Sequence, residues 1–417
     1  MLEELFKYPA VLRRHKDAPF LEERERYLLH RANEGCAQAT LIRISRELFW
    51  VARYFEGDEK TSRAVTPEEI QKVAEKWARK QCNSGRAKDQ KWSRQLFSQL
   101  STDWFQFLGR LQKPVPREAW YASLIQDFAT FMACERGLSP NTIRNRCWHV
   151  EQFLRWYQSQ DCNIASVKVS DIDRFLRTYG AERWSRVSMA SNADALRSFF
   201  QYAENCNWTN SHISESIQGP RLFTHENIPM GPSWDDVKHL FNAMQSQQAS
   251  DIRDRVIIML FAIYGLRSGE VATLRLEDID WENSHVKITR KKQGRSQIYP
   301  LIPVVGNALI QYLRSVRPRC SHREVFLTLK APIKPLSISG LSHLVSKRIK
   351  KLGIHTLHRG SHALRHACAT HLLSEGFSLK EIGDHLGHRS TSATRIYAKV
   401  DFQNLREVAA FNFGGAL

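Results

Sequence analysis

Four separated segments in the last third of the chain carry cationic or nucleophilic side chains that together suit chemistry on a phosphodiester. Arginine presents planar, permanently ionised donors that bind phosphate oxygens in pairs, so two arginines match the charge that grows on a phosphate under attack. A tyrosine hydroxyl can attack the phosphorus and hold the phosphate as an ester. The segments are Gly265-Leu-Arg-Ser-Gly-Glu270, Arg290-Lys-Lys-Gln-Gly-Arg295, His362-Ala-Leu-Arg365, and Leu386-Gly-His388 followed by Arg395-Ile-Tyr397.

Proton transfer accounts for the remaining residue types. The tyrosine must lose a proton as it attacks, and histidine is the usual acceptor near neutral pH. The departing sugar oxygen must gain a proton, which a lysine in a flexible hairpin can deliver. His362 and Arg365 are three residues apart, so they share one face of a helix. This chemistry needs no metal, and the sequence offers no obvious carboxylate cluster for a two-metal nuclease.

Each segment taken alone also has an ordinary structural explanation. Arginine followed by glutamate three residues later is typical of a surface ion pair, H-x-x-R of a solvated helix face, and a tyrosine after a helix of core packing. His358, His362 and His366 stand at four-residue steps, close to His355, and such a row can also bind a metal. No carboxylate lies among them, and H-x-x-R explains His362 better, so we expect no metal site.

The order, types and spacing of these segments resemble the tyrosine recombinase family, which includes phage integrases and transposon integrases. The resemblance covers about residues 118–417 and rests on the stretches YGLRSGEVATLRLEDID, RKKQGRSQIYPL, SHALRHACATHLLSEGFSLKEIGDHLGH and TRIYAKV. His388 stands nine residues before Tyr397, as LGH stands before the nucleophile in that family. The stretch FMACERGLSPNTIRNRCWHVEQFLRWY is similar to the family's helical core-binding domain.

The resemblance implies a role for each matching residue. Arg267 and Arg365 would clamp the scissile phosphate, and His388 would bond a non-bridging oxygen. Glu270 would orient the active-site side chains without contacting the phosphate itself. The nucleophile that forms the 3′-phosphotyrosine would be Tyr397.

Two further roles follow from the same resemblance, and neither is fully determined by the sequence. His362 would accept the tyrosine proton or bond the phosphate closely. The proton donor to the 5′-hydroxyl would be Lys292 when residues are counted back from Pro300, and Lys291 when they are counted forward from Asp278. We favour Lys292 because the segment after the turn resembles the family more closely. The same basic turn supplies three candidates for DNA contact: Arg290, Lys291 and Arg295.

The overall charge agrees with a polyanionic partner. The chain has 417 residues, with 61 Lys plus Arg against 43 Asp plus Glu, a formal net charge of +18 and a pI near 9.7. Such a balance suggests a polyanionic partner, usually nucleic acid and sometimes a membrane surface, and charge alone does not distinguish this from a charge that only keeps the chain soluble. No stretch approaches the roughly 20 apolar residues of a membrane span, and the N-terminus lacks a signal-peptide pattern. The eight scattered cysteines favour free thiols in a reducing cytoplasm.

The fold class follows from periodicity. Helical patterns dominate, and only His285–Thr289 and Gln297–Leu301 alternate like strands. We therefore expect a mostly α chain with a small antiparallel β-sheet in the C-terminal catalytic domain. Ser361 is expected to cap a helix that stops at Gly376. Turn-forming residues at 113–116 and 218–232 divide the chain into 1–115, a helical N-terminal domain, 116–215, a helical core DNA-binding domain, and 225–417, the catalytic domain.

The N-terminal domain shares its spacing with the core-binding domain. Glu34-Gly35 parallels Arg136-Gly137, and Arg53-Tyr-Phe55 parallels Arg155-Trp-Tyr157. The interval from Thr40 to Ile70 equals that from Thr142 to Ile172. We therefore predict a duplicated core-binding-like unit, against the alternative that two amphipathic regions share spacing by chance.

The function that the resemblance implies is site-specific DNA recombination through a 3′-phosphotyrosine, for integration, excision or transposition, with no cofactor. The expected partners are duplex DNA at a specific site, further copies of the chain in a tetramer on two sites, and a partner recombinase or accessory protein. The alternatives are a type IB topoisomerase-like enzyme that relaxes supercoils and a catalytically silent DNA-binding regulator. The tail, residues 404–417, is expected to be a helix that docks on a neighbouring protomer or on its own domain.

Overall fold

The computed structural model describes most of the chain. The described residues are 1–56, 64–83, 89–112, 119–158, 163–210, 212–222, 231–290, 295–356, 358–388, 390 and 393–400. The predicted tail helix lies outside them. The chain divides into two compact units, one comprising Met1–Lys113 with Asn227–Leu417 and the other Pro114–Glu226. Within the described residues, no helix is long and apolar enough to cross a membrane.

Residues 1–112 form six helices around one hydrophobic cluster. They are α1 (Leu2–Leu5), α2 (Pro9–Lys16), α3 (Leu21–Asn33), α4 (Gln38–Tyr54), α5 (Pro67–Asn83) and α6 (Gln90–Phe107). Leu48, Trp77 and Trp104 are each at most 3% exposed, so α4, α5 and α6 all turn an apolar face inward. Asp89 caps α6 by accepting a hydrogen bond from the Lys91 backbone N–H at 2.8 Å.

The second unit is also helical. Its elements are α7 (Ala122–Cys134), α8 (Pro140–Tyr157), α9 (Val169–Arg174), a wider turn at Phe175–Gly180, α10 (Ala181–Arg183), α11 (Arg186–Asn205) and α12 (Ile213–Ser216). Ser139 caps α8 and Pro140 is its first residue, which confirms the start expected for this helix. Phe128, Phe153 and Phe199 lie fully buried at its centre.

Residues 231–400 combine helices with a three-stranded sheet. The elements are α13 (Trp234–Asn242), α14 (Ala249–Ala262), α15 (Ser268–Ala272), β1 (Ile279–Asp280), β2 (His285–Arg290), β3 (Arg295–Pro300), α16 (Pro303–Ser315), α17 (Ile338–Lys351), α18 (Ser361–Ser374), α19 (Leu379–Leu386) and a 3₁₀ turn at Arg395–Val400. The sheet is antiparallel in the order β1-β2-β3. The expected fold class is thus confirmed.

One expected helix start is wrong in detail. Ser361 is the first residue of α18 rather than its cap, and its hydroxyl shares a hydrogen bond with the hydroxyl of Ser268. Gly376 stands just beyond α18 with φ +86°, the left-handed conformation that ends a helix, as expected. The Ser361–Ser268 bond ties the start of α18 to the start of α15, and these two helices carry the predicted arginines.

The three-domain division remains a prediction. Three hydrophobic clusters support it, since one lies wholly within residues 2–105, a second within 121–217 and the largest within 237–367. A smaller cluster joins α18, α19 and the turn that bears Tyr397. Helix α18 contributes to both the largest cluster and this smaller one, so it connects the parts of the chain that bear Arg365 and Tyr397.

Candidate active site

Arg267 stands immediately before α15 and is held by the carboxylate of Glu270. Its backbone N–H donates to Glu270 Oε2 at 2.8 Å, and its guanidinium Nη1 donates to Oε1 at 2.9 Å. Glu270 is only 7% exposed, so this carboxylate is fixed by the core around it. The double contact orients the guanidinium of Arg267, and it supports the orienting role predicted for Glu270.

Arg365 projects from the first turns of α18 into the interior. Its guanidinium donates to the carbonyl oxygen of Gly265 and, at 2.9 Å, to that of Leu386. Arg365 therefore links the turn before Arg267 to the end of α19. Burial, with the positive charge of Arg267 nearby, lowers the pKa of Arg365 to about 10. The side chain is still protonated at pH 7, and an anion bound between the two arginines would relieve their repulsion.

Arg290 is a third arginine in the same place, and the structure argues against its predicted contact with DNA. β2 buries alternate residues, and Arg290 is one of them at 4% exposure. Its guanidinium donates to Leu386 O at 2.8 Å and Gly387 O at 3.1 Å, and Nη1 lies 3.2 Å from Glu270 Oε1. We therefore propose that Arg290 connects Glu270 to the end of α19 and does not contact DNA.

Gly387 is required by this arrangement. It follows α19 in the left-handed region at φ +61°, and a Cβ built on it would lie 2.0 Å from Arg290 Cζ. A side chain at this position would strain the backbone and would displace the guanidinium of Arg290. The close packing of Arg290 against the Gly387 backbone fixes the residue that follows, His388.

His388 lies in a site that keeps its ring neutral. Burial, together with Arg365, Arg267 and Arg290, lowers the pKa of His388 to about 4. Its Nδ1 lies 2.7 Å from the hydroxyl of Thr394. If Nδ1 accepts that hydroxyl proton, Nε2 carries the ring proton and can donate to a phosphate oxygen. This geometry supports the predicted bond from His388 to a non-bridging oxygen.

Tyr397 is paired with a histidine that the sequence did not single out for this role. Its hydroxyl lies 2.9 Å from Nδ1 of His366, not against His362. Burial raises the pKa of Tyr397 to about 12 and lowers that of His366 to about 4. At pH 7 the phenol is therefore protonated and donates to the neutral imidazole. The sequence feature that could have indicated His366 is its four-residue step from His362, which places both histidines on one face of α18.

His362 stands one helical turn before His366, and its side chain reaches solvent on one side while the protein covers part of the rest. Desolvation, with the charges of Arg365 and Arg267, lowers the pKa of His362. These neighbours favour its alternative role as a partner of the phosphate, because the contact with the nucleophile belongs to His366.

We infer that His366 accepts the tyrosine proton, and a His366→Gln variant tests this. Glutamine can accept the hydrogen bond but cannot take the proton, so single-turnover cleavage should slow by about 10²-fold at pH 7. The rate of the variant should rise between pH 7 and pH 9 as the phenolate fraction increases, whereas the wild-type rate stays flat because His366, with a pKa of about 4, is already neutral. His362→Gln is the comparison on the same helix face: since we assign His362 to the phosphate and not to the tyrosine proton, its cleavage rate should fall without gaining a rise between pH 7 and pH 9. A wild-type rate and a flat profile in His366→Gln would contradict the inference.

The predicted lysines lie outside the described residues. Arg290 and Arg295 are paired across the β2–β3 hairpin, so Lys291 and Lys292 belong to its four-residue connection. The side chain of Arg295 is also outside the described set. The choice between the two lysines and the DNA contacts of Lys291 and Arg295 remain predictions.

Two family models and several relatives match the chain. Residues 233–404 match the phage integrase family and residues 125–206 the phage integrase N-terminal SAM-like domain. The protein y4rA of Sinorhizobium fredii (strain NBRC 101917 / NGR234), provisionally named an integrase/recombinase, is 35% identical over 290 residues, 68% of this chain and 69% of its own. Tyrosine recombinase XerD of Listeria monocytogenes serotype 4b (strain F2365) is 30% identical over 295 residues, 68% of this chain and 96% of its own.

A solved structure agrees on the fold. The site-specific recombinase XerH bound to palindromic difH substrate, a post-cleavage complex, matches with a TM-score of 0.53 at 19% identity, over 85% of this chain and 98% of that one. The sequence matches cover both the helical unit and the region that gathers Arg267, Arg365, His388 and Tyr397. The chain belongs to the phage integrase family of tyrosine recombinases.

Proposed function

We propose that this chain is a site-specific DNA recombinase that cuts and rejoins duplex DNA through a phosphotyrosine at Tyr397. The observation that carries the proposal is the convergence of three arginines on one short segment. Arg267, Arg290 and Arg365 all donate to the carbonyls of Leu386 and Gly387, directly before His388. A cationic pocket with a buried tyrosine beside it suits attack on a phosphodiester, because it stabilises the charge that develops on the non-bridging oxygens.

The chemical step follows from these positions. The Tyr397 oxygen forms a bond to phosphorus while the bond from phosphorus to the 5′ oxygen breaks. The tyrosine proton passes to His366, and the 5′ oxygen takes a proton from Lys292, which stays our choice for this role. Arg267 and Arg365 neutralise the non-bridging oxygens together with His388. The DNA is left with a 3′-phosphotyrosine and a free 5′-hydroxyl.

Rejoining is the same step in reverse. A 5′-hydroxyl from another strand attacks the phosphotyrosine and expels Tyr397, which recovers a proton from His366. One phosphoester is formed for each one broken, so the bond energy is conserved and no ATP is consumed. The names of the relatives support this activity, since they include a tyrosine recombinase and an integrase/recombinase.

The assembly is proposed as a tetramer that joins two sites, with a partner recombinase or accessory protein where one site differs from the other. Exchange between two duplexes requires four cut strands, and each chain supplies one tyrosine. The solved XerH structure is described as bound to its substrate DNA, which supports DNA as the partner here. We further propose that the reaction integrates, excises or transposes a mobile element.

The test has two steps. The full chain first selects the sequences that it binds from a random pool of duplex DNA, and these define its site. Supercoiled plasmids that carry two copies of this site, or no copy, are then incubated with the protein. We expect recombinant circles only from the two-copy plasmid. Relaxation of the plasmid without a site, with no recombinants from either, would instead support a type IB topoisomerase-like enzyme. Binding to the site with neither product and no covalent adduct would support a silent regulator.

A further inference from the structure

Part of the core of residues 1–112 recurs in the SAM-like unit. Seven buried positions between Leu48 and Ala74 correspond to buried positions between Val150 and Leu176 at a constant offset of 102 residues, although buried Phe49 has Glu151 as its counterpart. Since periodic amphipathic helices drift relative to one another, a constant offset across two helices and the loop between them is not expected by chance. The pairs are Leu48 and Val150, Val51 and Phe153, Ala52 and Leu154, Phe55 and Tyr157, Val65 and Val167, Ile70 and Ile172, and Ala74 and Leu176.

The backbone at the starts of the matched helices repeats as well. Gly35 and Gly137, again 102 residues apart, have φ of +85° and +57° and each end the helix before them. At the next helix start, the Thr66 N–H donates to Glu69 Oε2 at 3.0 Å. At the corresponding place, the Lys168 N–H donates to an Asp171 carboxylate oxygen at 3.0 Å. The same turn and the same carboxylate cap thus occur in both units.

The helices α6 and α11 keep the correspondence with a shift of three residues. Phe97, Leu100 and Trp104 of α6 are buried, and so are Leu196, Phe199 and Ala203 of α11, at an offset of 99. The connection before α11 is shorter than that before α6, which accounts for the shift. Three successive helices, α4 to α6, therefore have buried positions that recur in the SAM-like unit, which supports the predicted duplication of a core-binding-like unit.

Residues 1–112 and the SAM-like unit differ in charge on the exposed side of α5. Lys72, Lys76 and Lys80 stand at four-residue steps and face solvent, with Arg79 beside them. None of the four lies within ion-pairing distance of a carboxylate in the described residues. The positions 102 residues later hold Arg174, Thr178 and Glu182, and that arginine is already paired with Asp171 at 2.6 Å. In the described part of the chain, α5 thus presents a row of exposed lysines that form no ion pair, and the corresponding positions of the SAM-like unit do not.

We propose that residues 1–112 are a second DNA-binding unit and that the row Lys72, Lys76 and Lys80 binds the phosphate backbone of duplex DNA. The inference rests on the proposed action on DNA and extends it to a contact outside the catalytic site. An α-helix rises about 6 Å over four residues, so three lysines at this step lie near successive phosphates of one strand. The contact is independent of sequence and lengthens the DNA that each protomer covers.

The test is the salt dependence of binding to a labelled 60-bp duplex of arbitrary sequence. Each lost phosphate contact reduces the slope of log affinity against log salt by about 0.9, so Lys72→Gln, Lys76→Gln and Lys80→Gln together should reduce it by about 2 to 3. The matched control removes three exposed cations on and just before α2, as Lys7→Gln, Arg13→Gln and Lys16→Gln. We expect its slope to change by less than about 1.

The proposal would be overturned if both triple variants reduced the salt-dependence slope by the same amount. It would also be overturned if neither variant changed the slope relative to the wild-type chain. All six positions are exposed, so an unchanged melting temperature checks that both variants fold. Covalent adduct formation on a nicked substrate separates this proposal from the proposed function. If the wild-type chain and both variants form the adduct while the slopes agree, only the second DNA contact fails. If the wild-type chain forms none, the proposed function fails whatever the slopes are.

Discussion

Tyr397→Phe is expected to abolish the covalent protein–DNA adduct while DNA binding stays nearly unchanged. The substitution removes the only atom that can attack the phosphorus from this position, yet it keeps the aromatic ring that fills the space at 2% exposure. Removing the hydroxyl leaves His366 Nδ1 without its partner, a loss of about 1 kcal/mol in the free energy of unfolding. The measurement is adduct formation on a nicked duplex that traps the cleaved state, resolved by denaturing electrophoresis.

Tyr312→Phe is the matched control for this prediction. Tyr312 is also fully buried in the catalytic region, and its hydroxyl donates to the Val325 carbonyl at 3.2 Å, so the loss of one buried hydroxyl is reproduced. We expect this variant to form the adduct at the wild-type rate. A trapped adduct in Tyr397→Phe would show that another residue is the nucleophile, and the proposed mechanism would have to be abandoned.

The second large effect is expected at the lysine hairpin. Lys292→Ala should slow cleavage by about 10²- to 10⁴-fold, because the 5′ oxygen would leave without a proton. A substrate with sulfur at the 5′-bridging position should restore most of the rate, since a thiolate leaves without protonation. The measurement is single-turnover cleavage of the oxygen and sulfur substrates by the same variant.

The neighbouring lysine is a control that the chain itself provides. Lys291→Ala removes the same charge one residue earlier in the sequence. We expect Lys291→Ala to weaken binding mildly and to show no selective rescue by sulfur. If Lys291→Ala is rescued and Lys292→Ala is not, the count back from Pro300 is wrong and the count forward from Asp278 is right.

Much of the fold was predictable from patterns that a single segment contains. The alternation in His285–Thr289 and the apolar spacing of the helices reflect burial on one face, which the local sequence must satisfy to fold at all. Ser139 and Pro140 could be placed for the same reason, since a helix start depends on adjacent residues. The arginines, His388 and Tyr397 were identifiable because their order and spacing are characteristic of the family.

What the sequence could not provide was the pairing of side chains from distant segments. Nothing near Tyr397 indicates His366 instead of His362, because the two histidines differ by one helical turn and only the packing of the Arg395–Val400 turn on α18 chooses between them. Arg290 seemed suited to DNA because it lies in a basic run. Its burial depends on the pleat of β2 and on acceptors 96 and 97 residues away.

The carbonyls that receive the arginines lie at the C-terminal end of α19, where the aligned peptide dipoles leave roughly half a negative charge. The carbonyl groups at this helix end therefore balance part of the positive charge of the arginines. Three guanidinium groups that would otherwise repel one another are held together at this helix end, and two of them, those of Arg267 and Arg365, are the groups that we assign to the phosphate. An arriving phosphate meets a preassembled cationic pocket, so binding has only to supplement a fixed partial charge and does not have to gather mobile side chains.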